Sequence, residues 1–296
     1  MACAPAQVDD DNAPRPCSAS DAPTHGRLSA VSTGSPTSAE QVVLERLNRA
    51  RQDPVAEASR LGIALDEGTS PPLLGGARPP LAMNPQLLQA ARAHSEDMLT
   101  RNFFDHTNPD GDDPFDRMQA SGYSFAAAGE NLHIVMASAP LSPEEEAPAA
   151  HDDLFVDQGY PGRGHRLNIV DADFTEVGIG LAAGTYRNGG STYQALTLTQ
   201  DFGRPLSGTR HYVIGVVYQD DDGNGQYDGG EGMASVRIAA HGDEFWTTDT
   251  GAAGDFAFAV EETGEFELHY SVNGQDRCQR VEVDAATVQA SLILAP

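Results

Sequence analysis

The chain has 296 residues, 40% of them hydrophobic, enough to bury the cores of about two domains. Its 44 acidic residues stand against 18 arginines and no lysine, a net charge of −26 that disfavours nucleic acid and anionic membrane surfaces as partners. No apolar run approaches the roughly 20 residues of a membrane-spanning helix.

Residues 1 to 37 are rich in Ala, Pro, Ser, Thr and Asp and lack hydrophobic periodicity, which predicts a disordered tether. The opening stretch has neither a basic nor a hydrophobic segment and does not read as a signal peptide. Cys3, after a small residue and ahead of a polar tail, matches the start of a mature lipoprotein as well as it matches an ordinary surface cysteine. A Cys3 to Cys17 bridge in an oxidising compartment is a third reading, while Cys278 lies far away.

Order is expected from "SAEQVVLERLNRARQDP", where Ser38 and Gln41 form a capping-box pattern and Val43, Leu47 and Ala50 recur at helical spacing. Pro54 should stop or bend that helix. A second helix starts at Asn84 and Pro85, with Leu87, Ala91, His94 and Met98 on one face. A lone histidine in such a stripe is read as a hydrogen-bonded core residue. Asp113 with Pro114 opens a third helix and Ser142 with Pro143 a fourth. "TEVGIGLAAGTY" and "STYQALTLTQDFG" form a hairpin around "RNGG". From Thr209 on, short strand-like segments alternate with Gly, Asn and Asp, which describes a small all-β sandwich. The predicted class is α+β, a layered domain at 38–206 followed by a β module at 209–296.

Three polar blocks of the first domain stand out. "FFDHT" sets His106 after two aromatics, "AGENL" sets Glu130 among small and apolar residues, and "GRGHRL" sets His165 after a Gly-rich turn leading towards a strand. Two histidines and a carboxylate in one cleft suit zinc or another divalent ion, suit acid-base work, and equally suit a hydrogen-bonded network that only staples helix to sheet. Asp116, Arg117 and Arg166 read as ion-pairing groups around the cleft, and His133 has no spacing argument for function.

The blocks "LNRAR", "HSEDM", "NFFDHTNPDGDDPFDRMQASGY", "GENL", "GHRLNIV", "FTEVGIG" and "TQDFG" occur in the order found in the bacterial branch of the CAP superfamily, the cysteine-rich secretory, antigen 5 and pathogenesis-related proteins. The resemblance covers roughly residues 40 to 204. It implies an α-β-α sandwich whose cleft gathers two histidines and two acids, holding zinc or another divalent ion in some members. Carried over, His106 and His165 match the two histidines and Glu130 the acid of the Gly-Glu-Asn block. The second acid is open: the family supplies it from a Trp-containing helix, whereas the corresponding helix here, "AAHDDLFVDQGYPGRGHR", has no tryptophan and extra residues before the histidine, and His151, Asp152 and Asp157 are the candidates, Asp152 reading as helix surface. The resemblance implies an extracellular or cell-surface protein binding a ligand, lipid and sterol among those of the family. Metal-assisted hydrolysis with Glu130 as base and a purely structural surface module are the competing readings. For an enzyme a nucleophile is missing: Ser95 has no recognisable elbow around it.

A second ion motif lies in "DDDGNGQYDGGE". Asp220, Asp222 and Asn224, the carbonyl of Gln226, Asp228 through water and Glu231 follow the oxygen-ligand spacing of a calcium loop, with Gly225 at the turn. Strands flank it rather than helices, as in calcium-stabilised β modules; an acidic solvated hairpin is the alternative.

Overall fold

The computed structural model describes residues 15–16, 24–208 and 211–295. In chain order it contains β1 (Arg15–Pro16), β2 (His25–Ala30), α1 (Ser38–Gln52), α2 (Pro54–Arg60), β3 (Ala82–Met83), α3 (Pro85–Thr100), α4 (Pro114–Ala120), β4 (Phe125–Ala137), α5 (Pro143–Val156) and α6 (Gly164–Ile169). There follow β5 (Glu176–Asn188), β6 (Ser191–Pro205), β7 (Tyr212–Gln219), β8 (Arg237–His241), β9 (Phe245–Asp249), β10 (Asp255–Val272), β11 (Gln275–Val283), β12 (Val288–Gln289) and β13 (Leu292–Leu294).

The first unit is an α-β-α sandwich around a four-stranded sheet of order β3-β5-β6-β4. Alternation along β5 sends Val177 and Ile179 into one core with Val43 and Leu47 of α1 and Leu154 and Phe155 of α5. The opposite face of β5 carries Gly178 and Gly180, and α3 lies directly on them. A Cβ on Gly178 would sit 2.0 Å from the Leu87 carbonyl carbon, so only glycine admits the helix at this distance.

Capping accounts for most helix starts. Asn84 accepts from the backbone N–H of Gln86 and Leu87, and Asp113 forms a reciprocal box with Asp116. The α1 box is made one residue before the expected Ser38, by Thr37 with Glu40. Pro54 begins α2 rather than merely bending α1, with Asp53 as its cap. Asn48 and Arg51 of "LNRAR" are buried staples: Asn48 exchanges two hydrogen bonds with the Leu81 backbone, and Arg51 donates to the carbonyls of Pro79, Ile169 and Asp171.

The additional β domain is built on β10, an 18-residue strand that pairs with β7 near its start and with β8 and β11 near its end. Because one strand serves both halves, the nine strands form a single branched sheet, closed on a core of Phe258, Phe266, Leu268, Tyr270 and Val281. The tether expected over residues 1–37 needs correction: β2 pairs antiparallel with β10 and buries Leu28 in that core. An edge left open on β10 supplies the backbone partners that the segment's own pattern does not announce. The proposed lipid anchor at Cys3 and the Cys3 to Cys17 bridge lie outside the described residues. Cys278, distant in sequence from the other two, is disulfide-bonded.

The two units share an interface. Val216, Tyr218 and Tyr227 belong to the same apolar cluster as α1 and α5, and Gly230 N–H donates to Ser38 Oγ at 2.7 Å.

Candidate functional site

His106 lies in the loop after α3, and α4 sets its backbone: Arg117 Nη1 donates to the His106 carbonyl at 2.8 Å and to that of Asp112 at 3.0 Å. The His106 Nδ1 meets Glu130 Oε1 at 2.7 Å, and Arg117 Nη2 donates to Glu130 Oε2 at 2.6 Å. Glu130, on β4, is almost wholly buried, whereas the His106 ring is half exposed. The Glu130 carboxylate, hydrogen-bonded to the ring, raises the His106 pKa against the opposing effect of burial. Arg117 therefore pairs with Glu130 and not with Asp116, which is engaged in the α4 cap.

The structure adds a residue that sequence patterning passes over. Asp201 on β6 stands opposite Glu130 in the ladder and is 1% exposed. Burial first, and the neighbouring Glu130 charge second, push its carboxyl well above the usual carboxylate range, favouring the neutral acid. Its only sequence signal is a charged residue inside the strand "TLTQDFG".

His165 opens α6, a short helix that replaces the expected run of turn into strand. Asp157 caps α5 with φ 53° and turns back, so that its Oδ1 meets His165 Nδ1 at 2.8 Å and its Oδ2 accepts from the His165 backbone N–H at 2.9 Å. The ring of Tyr160 stands edge-on to His165 at 5.0 Å. Asp157 is thus the acid paired with the second histidine. His151 points elsewhere: it is fully buried on α5, with its Nε2 3.5 Å from Glu57. Asp152 is bonded to Arg60, as a helix-surface acid would be.

A network of amides ties the two pairs. Asn168 of α6 donates to the Glu130 carbonyl at 3.3 Å and to Asn131 Oδ1 at 2.8 Å, while Asn131 donates to the His165 carbonyl at 3.1 Å. A cavity of about 240 Å³ opens beside His165, bordered by Phe104, Leu132, His133, Ile134 and Tyr160. His133, without a spacing argument in the sequence, thus faces the same cleft. Phe104, two residues before His106, brings the first loop to its rim.

The trio His106, Glu130 and His165 is not among the described sets of three His, Cys or acidic residues with donor atoms within 4.8 Å of one another. The arrangement is instead two histidine-carboxylate pairs. A carboxylate only accepts, so each Nδ1 donates, and neither Nε2 has a protein partner among the described residues. That is the orientation in which metal-binding imidazoles are commonly held. Both oxygens of Glu130 are engaged, one with His106 and one with Arg117. His94 is buried and bonded to the Asp105 carbonyl, and Ser95 Oγ donates within the helix-sheet layer. Arg166 is spent on the carbonyls of Phe155, Val156 and Leu65.

The second motif folds into a tight loop. Asp220 accepts from the N–H groups of Gly223, Asn224 and Gly225, and Glu231 from those of Asp221 and Asp228. Gly225, at φ 73°, makes the turn that other residues rarely adopt. Donor oxygens of Asp220, Asp222 and Glu231 lie within 4.8 Å of one another. Asn224 donates to Asp228 at 2.7 Å, and the Gln226 side chain accepts from Arg49 of α1.

Two other clusters are poor ion sites. Glu57 beside His151 is already bonded to Arg49 and Arg60. Cys278 beside Glu267 and His269 is disulfide-bonded and offers no thiolate. Among the described residues no helix is long and apolar enough to cross a membrane.

A family model described as the cysteine-rich secretory protein family, CAP, matches residues 44–202. The uncharacterized protein YkwD of Bacillus subtilis is 38% identical over 101 residues, 34% of this chain and 34% of that protein. The uncharacterized membrane protein YlbC of the same organism is 27% identical over 93 residues, 31% of this chain and 23% of that protein. The chain therefore spans about a third or less of the curated relatives it matches. A crystal structure of an extracellular protein containing a SCP domain from Bacillus anthracis is 28% identical, covering 43% of this chain and 34% of that one at a TM-score of 0.30. With the family model covering more than half its length, the chain belongs to the CAP family of cysteine-rich secretory proteins.

Proposed function

We propose that this is an extracellular or surface-tethered binding protein whose cleft holds a divalent ion, zinc foremost, between the Nε2 atoms of His106 and His165. The observation that carries the reading is the pairing of each Nδ1 with its own buried carboxylate, Glu130 or Asp157. This fixes ring and tautomer before the ion arrives. Two protein nitrogens leave the remaining coordination positions to water or to a polar group of a ligand. A cavity of about 240 Å³ is below the roughly 300 Å³ of ordinary small-molecule sites. A lipid or sterol would be held by one end.

The hydrolase alternative has less support. Glu130 is buried and bonded through both oxygens, so it is poorly placed to take a proton from water. Ser95, the nearest thing to a nucleophile in the sequence, is buried, donates to the Gly180 carbonyl and is hydrogen-bonded to the Thr199 hydroxyl. Calcium is the second ion of this reading, bound by Asp220, Asp222, Asn224, the Gln226 carbonyl, Asp228 and Glu231.

Zinc retention by the full chain in equilibrium dialysis tests the cleft. The His106→Ala/His165→Ala double variant should lose the ion. Asp157→Asn, tolerated at positive φ, should weaken binding by about 10- to 100-fold through the lost histidine partner. Unchanged retention in the double variant would place any zinc elsewhere.

A further inference from the structure

A second cavity, about 410 Å³, lies where the first unit, the β domain and the chain after β2 meet, and it shares no lining residue with the His165 cavity. Its polar centre is Glu176, the first residue of β5, 4% exposed. Tyr123 OH donates to Oε2 at 2.6 Å, Asn84 Nδ2 donates to Oε1 at 3.2 Å, and Tyr212 OH, from the β domain, donates to Oε1. Burial first and the Glu176 charge second hold both phenols far above their ordinary pKa, so they remain neutral donors. Among the described residues no Arg or His pairs with this carboxylate.

Three neutral donors occupy three of about four lone-pair positions and cancel none of the formal charge. The capped N-terminus of α3 at Asn84 contributes about half a positive charge, leaving the centre anionic. The lining around it is mixed, with apolar walls from Val31, Met83, Pro85, Pro205, Ala257 and Ala259 and polar groups on Ser32, Gln86, Ser124 and Ser207. Calcium and magnesium take about six or more oxygen ligands, and the single carboxylate here already accepts from three donors. An organic cation matches this mixture: its charge faces Glu176, its alkyl groups the apolar walls, and its polar substituents the hydroxyls of the lining. The volume falls within the roughly 300–1,000 Å³ of small-molecule sites.

We propose that this junction cavity binds a compact organic ammonium ion, with Glu176 as counter-ion and Tyr123 and Tyr212 orienting the carboxylate. Because the walls come from both units and from the segment after β2, an occupant ties the three together and stabilises the native arrangement.

Calorimetric titration of the full chain with choline, and with its neutral isostere dimethylbutanol, tests the assignment. Choline should bind and raise the melting temperature, the isostere at least about tenfold more weakly for want of the charge. Glu176→Gln should abolish that discrimination. Ser207→Trp, at an exposed rim position, should block choline while leaving the fold intact. The His106→Ala/His165→Ala variant should bind choline as before, which separates this site from the cleft. Equal binding of choline and the isostere, or choline binding undiminished by both Glu176→Gln and Ser207→Trp, would overturn the proposal.

Discussion

Leu28→Ala should destabilise the β domain, although the residue lies in a stretch whose composition reads as a tether. Leu28 is 2% exposed, stands opposite Val260 in the ladder and shares a core with Phe258 and Phe266. Truncating a buried leucine costs about 2–5 kcal/mol, and a site on an outer strand that can partly collapse belongs at the lower end, about 2–3 kcal/mol. At roughly 2–4 °C per kcal/mol for a protein of this size class, the melting temperature should fall by about 4–12 °C. Arg27→Ala on the same strand is the control: its side chain is 43% exposed and its ion pairs are solvated, so the change should stay within about 0.5 kcal/mol. Thermal melting followed by circular dichroism reads both. A Leu28→Ala protein that melts with the parent would show that β2 does not hold its place on β10, and the tether reading would return.

Calcium should raise the melting temperature of the full chain, by about 2.7 kcal/mol of stability at 100 times the dissociation constant, and Glu231→Gln should remove most of the gain. Parent curves that coincide in chelator and in millimolar calcium would leave a hydrogen-bonded acidic loop. Burial pushes the Glu45 carboxyl from 4.5 up to about 7, against the hydrogen bonds from Gln41 and Gln289. A raised folded-state pKa binds its proton more tightly than the unfolded chain does, so this contribution is complete below about pH 4.5 and declines as pH rises to about 7. Glu45→Gln should flatten the fall in stability over that window; an unaltered pH profile would show that Glu45 is solvated.

The local signals were legible because their physics is local. Asn84 and Asp113 cap helices through bonds spanning two or three residues, and the "RNGG" turn sets the β5–β6 hairpin from within four. The ordered motif blocks likewise identified the family. Strand β4 was not legible: "FAAAGENLHIVMA" lacks clean alternation and becomes a strand by pairing with β6 about 70 residues later. The same holds for β2, whose partner lies more than 200 residues away.

Within the site, the sequence left His151 and Asp157 level, with Asp152 reading as helix surface. Tertiary structure decided among them, because the left-handed turn at Asp157 aims its carboxylate at α6, while the helical phase of His151 buries it against Glu57. It also turned an expected three-donor cluster into two histidine-carboxylate pairs, and it set Asp201 beside Glu130. By itself the sequence determined which chemical groups the chain owns and how each segment starts and stops. Which carboxylate meets which imidazole, and how far burial moves its proton, depends on packing between segments far apart in the chain.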